Sequence, residues 1–73
     1  MWIRTQDKKT LVDIEKFYIS KVFKIISVVG ETDNSNSLSI TLGEYESIER
    51  ATKELDSIQN FISEHPNKVY EMK

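Results

Sequence analysis

Ser47-Ile48-Glu49-Arg50-Ala51-Thr52-Lys53-Glu54-Leu55-Asp56-Ser57-Ile58-Gln59-Asn60-Phe61-Ile62-Ser63-Glu64 is the stretch on which the fold turns. Ile48, Ala51, Leu55, Ile58 and Ile62 recur at spacings of three and four. That recurrence draws one apolar stripe along a helix. Ser47 can accept a hydrogen bond from a free N–H of the first turn, and Glu46 and Glu49 suit its positive end. Pro66 stops the helix, because proline disfavours helical geometry at the preceding His65. Glu49, Glu54, Asp56 and Glu64 share the polar side with Arg50 and Lys53, and the expectation is a solvated face. At 1.5 Å per residue the helix is roughly 27 Å long, enough to cross a small sheet.

Upstream, the period changes from 3.6 to two. Leu38-Ser39-Ile40-Thr41-Leu42 alternates without fault and is expected to end at Gly43. Gly30-Glu31-Thr32-Asp33-Asn34-Ser35-Asn36-Ser37 reads as a loop, rich in residues that favour turns. Phe23 to Val29 is a β-branched run suited to the middle of a sheet. Thr10 to Lys21 also reads as extended, but Val12 and Ile14 lie on one face and Phe17 and Ile19 on the other. Side chains alternate strictly along a strand, so a bulge or break is expected near Glu15-Lys16. Trp2 to Gln6 gives a first strand, Asp7-Lys8-Lys9 a turn, and Lys68 to Met72 a short terminal strand. The expected architecture is a single α+β domain over residues 1–73. It is an antiparallel meander of about four strands, with one amphipathic helix packed on one face and a short C-terminal strand.

With 73 residues and no cysteine, the chain has a small core and no disulfide or thiolate site to reinforce it. Self-association into a homo-oligomer is one way to bury more surface. Ten basic and twelve acidic residues leave a net charge of −2, which argues against a nucleic-acid partner. The apolar run from Val22 to Val29 is far too short to span a bilayer. A reducing cytoplasm, with no membrane partner, is the expected setting.

Catalytic machinery is missing from the pattern. His65 is the sole histidine, and it abuts a helix-ending proline. One histidine without cysteine excludes the usual structural zinc sets. Asp33-Asn34-Ser35-Asn36 lacks the acidic alternation and closing glutamate of a calcium loop. Gly30 and Gly43 make no phosphate loop, so neither enzyme activity nor a cofactor is expected. Binding is the open possibility. Trp2 and Arg4 fall on the same face of an extended segment, where they could sandwich a planar base or anchor a protein partner. Tyr45 is a second stacking candidate, and Lys8 could hold a phosphate.

The opening Trp2-Ile3-Arg4-Thr5-Gln6-Asp7-Lys8-Lys9 resembles that of a group of small uncharacterised proteins from Gram-positive bacteria, their phages and prophages. The likeness continues at Leu42-Gly43-Glu44-Tyr45, through Glu49-Arg50-Ala51 to Leu55-Asp56-Ser57-Ile58-Gln59, and ends with Val69-Tyr70-Glu71-Met72. Thr5 replaces the group's usual serine, and Lys73 stands where a proline usually follows. The resemblance implies a phage or prophage setting, in which small accessory proteins often counter host defence by occupancy. The expected function is a non-catalytic sponge that sequesters a nucleotide immune signal. Its base would stack on Trp2 or Tyr45, and Arg4 and lysines such as Lys8 would hold its phosphates. The main alternative is a protein–protein module that inhibits a host defence protein, and a nucleotide-cleaving enzyme is a weaker third.

Overall fold

The computed structural model describes residues 1–33 and 38–73. The β-branched run forms the centre of the larger sheet, its strand starting and ending two residues later than Phe23 to Val29. Strand β1 is Trp2–Arg4, β2 Leu11–Asp13, β3 Lys16–Val22, β4 Ile25–Glu31 and β5 Ser39–Tyr45. Helix α1 spans Ile48–Glu64, and β6 is Tyr70–Glu71. Strands β3, β4 and β5 form an antiparallel meander with β4 in the middle. Ile26 to Gly30 are all buried, as a central strand covered on both faces requires. Of the loop expected between the two flanking strands, residues 34–37 lie outside the described part of the chain.

The break near Glu15-Lys16 is present: β2 ends at Asp13 and β3 begins at Lys16. Its consequence is larger than a bulge. The first two strands leave the meander and join β6 in a second sheet of order β2-β1-β6. Strand β1 pairs antiparallel with β2 but parallel with β6, setting Ile3 opposite Tyr70.

Two glycines sit differently from the sequence expectation. Gly30 does not open the loop but lies inside β4 opposite Phe17. A Cβ there would stand 2.7 Å from Cγ2 of Ile14, which is fully buried. The glycine is therefore what lets the β2–β3 connection press onto the sheet. Gly43 does not end its strand either. A register shift at Val28/Val29 allows β5 to continue through it to Tyr45 while Leu42 stays in the core.

The helix begins where expected, with the Ser47 Oγ accepting from the Arg50 N–H at 3.1 Å. Its buried stripe is rotated from the one expected. Ala51 and Ile58 are fully buried, but Ile48 and Ile62 remain exposed. Glu54, expected among the solvated residues, is only 6% exposed. The returning tail explains the shift. Tyr70 and Met72 are buried against this side of the helix, with Phe61 and Tyr70 meeting edge-on at 5.2 Å. One core joins both sheets and the helix: Ile3, Ile14, Ile26, Val28, Leu42, Ala51, Ile58, Tyr70 and Met72. No helix of the described residues is long and apolar enough to cross a membrane.

Candidate functional site

The N-terminal motif builds the β1–β2 turn, residue by residue. Ile3 is fully buried in the core. Thr5 is buried, its hydroxyl donating to Asp7 Oδ1 at 2.7 Å and accepting from the Thr10 N–H at 3.2 Å. The same Asp7 oxygen accepts from the Lys9 N–H at 2.9 Å. That backbone bond, ahead of the one from Thr5, holds the Asp7 carboxyl below its ordinary range. Lys8 takes a left-handed conformation with φ 65°, which makes the tight reversal possible. Arg4 then donates from Nε and Nη2 to the Lys8 carbonyl at 3.2 and 3.1 Å.

Gln6 ties the turn to the rest of the molecule. Its Nε2 donates to the carbonyls of Glu44 and Lys73, and its Oε1 accepts from the Glu44 N–H at 2.9 Å. One side chain thus joins the small sheet, the end of β5 and the C-terminal segment. Nothing in the local sequence pattern marks this role, because the partners lie 38 and 67 positions away.

Trp2 is the residue this turn does not use. It stands on the outer face of the small sheet, half exposed, and is no core plug. The register surrounds it with Asp13 and Leu11 from β2, with Arg4 beside it and Glu71 across from Arg4. Val69 immediately precedes Tyr70, the partner of Ile3, and is also exposed. Trp2, Leu11 and Val69 therefore give this face three large uncovered apolar side chains. Lys8 reaches the same margin, 4.0 Å from Glu71, an exposed pair of little energetic weight. Leu11 and Val69 could not be assigned to this face from sequence, since only the order of the strands brings them together.

Tyr45 does not join them. It lines a cleft of about 390 Å³ with Gln6, Glu44, Glu46, Arg50 and Lys73. An adjoining hollow of about 330 Å³ shares Gln6 and Glu44 and runs along Thr41 to Gly43. The Tyr45 hydroxyl is buried and finds no hydrogen-bond partner among the described residues. Behind it, Glu54 Oε2 accepts from the Tyr70 hydroxyl and from the Lys73 N–H, both at 2.9 Å. Burial first, then the Glu54 charge, pushes the Tyr45 phenol up to about 12. Tyr70 is raised further, by burial and then by its hydrogen bond to Glu54.

This has a consequence at high pH. Above about pH 10 the unfolded tyrosines lose their protons while Tyr45 and Tyr70 in the folded chain keep theirs. The unfolded state then binds fewer protons, so stability falls as pH rises from there through the folded values. Tyr45→Phe removes one of the two groups and an unpaired buried hydroxyl. Its urea midpoint at neutral pH is expected to match or exceed that of the parent, and its alkaline loss to be smaller. Denaturation series on either side of about pH 10 measure both.

His65 lies at the exposed helix end with its ring 5.2 Å from Phe61. Among the described residues, no three or more His, Cys, Asp or Glu side chains come together to hold a metal ion. No protein-family model matches the chain, and comparison with curated proteins and with solved structures finds no match for it either.

Proposed function

We propose that the chain is a non-catalytic binding module that acts by occupying a protein partner, with Trp2 on the outer face of the small sheet as its anchor. One observation carries this reading. Of the motif's two large apolar side chains Ile3 is spent on the core, whereas Trp2 is left half exposed, near Leu11 and Val69. Tryptophan and arginine dominate binding hot spots, and apolar neighbours that exclude water strengthen them. Asp13, Glu71, Arg4 and Lys8 give the patch a mixed-charge rim, which suits protein recognition. The motif's likeness to phage and prophage proteins favours a host protein as the partner.

A nucleotide is less well served on this face. Arg4 already bonds the Lys8 carbonyl, two carboxylates flank the indole, and Tyr45 lies elsewhere. The nucleotide-sequestering reading keeps one supporting observation, the unpaired Tyr45 hydroxyl in a cleft with Arg50 and Lys73 on its wall.

Trp2→Ala is expected to leave stability within about 0.5 kcal/mol, as for an exposed residue. The same change is expected to abolish capture of a partner from a bacterial lysate. The sole tryptophan also reports directly: acrylamide should quench it in the free chain and fail to reach it in the complex. An indole already shielded in the purified monomer would sink the reading. A melting shift with cyclic nucleotides, lost in Arg50→Ala and kept in Trp2→Ala, would replace it with the cleft.

A further inference from the structure

Strand β3 is an edge of the larger sheet, with no further strand beside it among the described residues, and its two ends are chemically opposite. At one end the chain reverses through Phe23 and Lys24, with Val22 paired to Ile25. Phe23 is 93% exposed, and Val22 and Ile25 are more than half exposed. Its φ of 56° belongs to the left-handed region, where a bulky residue is strained by about 1–3 kcal/mol. Glycine or asparagine would relieve that strain, yet a phenylalanine is held there, pointing at water. Lys21 and Lys24 flank it, and residues 17–30 contain no carboxylate.

The other end of β3 is the complement. Phe17 forms an apolar groove of about 170 Å³ with Leu55, Ile58, Gln59 and Ile62, room for one large side chain. Beside Phe17 lie Glu15 and Glu31, whose backbones are hydrogen-bonded, and Asp33. Interaction with the neighbouring Asp33 carboxyl lifts the Glu15 carboxyl above its ordinary value.

We infer that two copies of the chain associate about a two-fold axis through Ile19 in the middle of β3, each setting Lys21 against the Phe17 groove of the other and its Phe23 tip over the acidic corner beside that groove. The geometry follows from the strand itself. Phe17 and Phe23 are six residues apart, roughly 20 Å at about 3.3 Å per residue, so reversing one copy exchanges tip and groove. Charge selects the register. Centring on Ser20 would set Lys16 opposite Lys24, a like-charged pair. Centring on Ile19 sets Lys21 opposite Phe17 and brings Phe23 and Lys24 over Glu15. Phe17 lines the groove together with helix residues, and Lys21, four positions along the strand, shares its face. The lysine stem therefore enters the groove on the side that the Phe17 ring lines. The result is a closed, isologous dimer with a continuous six-stranded sheet and no free β3 edge.

Sedimentation over a concentration series tests this with the intact chain. Parent protein is expected to approach twice the chain mass as concentration rises. Phe23→Gly relieves the left-handed strain and should melt no lower than the parent's monomer, yet stay monomeric. Ile62→Glu, at a position already exposed, should do the same from the groove side. Lys24→Glu should weaken the dimer at least tenfold, and adding Glu15→Lys should restore it. A parent that remains monomeric throughout overturns the inference. So does a dimer that survives both Phe23→Gly and Ile62→Glu. Loss of binding to anionic phospholipid vesicles in Phe23→Gly, with no dimer in the parent, would assign the tip to a lipid surface instead.

Discussion

Glu54→Ala is expected to remove about 2–4 kcal/mol of stability, a large share of what a 73-residue domain holds. The carboxylate is nearly inaccessible and accepts from the Tyr70 hydroxyl and the Lys73 N–H. Alanine takes away the acceptor for both and leaves a small void next to Ala51 and Ile58. Unmet buried donors cost more than the bonds themselves contribute, so the loss should exceed that of an ordinary helix substitution. Glu54→Gln keeps the shape, and its one carbonyl oxygen can accept both bonds as Oε2 does, so only the strengthening from charge is lost and a smaller loss is expected. Urea unfolding of the two variants measures the difference. Equal and small effects would mean that water reaches both donors and that the tail is held by Tyr70 and Met72 packing alone.

Gly30→Ala is expected to cost about 1–3 kcal/mol, although alanine suits a strand better than glycine does. The new methyl would approach three side-chain carbons of Ile14 at 2.7 to 3.0 Å, and Ile14 is fully enclosed. The collision includes the branch at Cγ2 as well as the flexible tip, so rotation alone does not clear it. Ile14→Ala by itself should lose about 2–5 kcal/mol through the cavity it leaves. The double variant should cost clearly less than the two losses added together, because the methyl then fills part of the void. Strict additivity would show that the two sites do not touch, and crowding by Ile14 would no longer account for the glycine.

The helix and the meander could be read from sequence because their signals are local. Five aliphatic residues at helical spacing, a serine cap and a proline stop fix α1 within a residue. The phase slip between Ile14 and Phe17 marks the end of one strand and the start of another. What it does not reveal is that the pieces belong to separate sheets. That division depends on β1 pairing in parallel with a two-residue strand near position 70, a contact that local periodicity cannot carry. The burial of Glu54 escapes for the same reason: on a helical wheel it is one more carboxylate, and only the returning tail turns it inward. At the candidate site, Trp2, Arg4 and Lys8 do share a region, whereas Tyr45 faces a different cleft. Leu11 and Val69 become neighbours of Trp2 only through strand order. Phe23 is conspicuous only once its backbone angle and exposure are known, since in the sequence it looks like one more core aromatic.

The parallel pairing of β1 with β6 also sets a timetable for the growing chain. The meander and helix are assembled from near neighbours and can form while synthesis continues. Ile3 is synthesised well before its partner Tyr70 and must wait for it before it is sealed from water. A ribosome stalled after the helix would therefore display a finished larger sheet beside an open seam, one that a chaperone or protease could recognise.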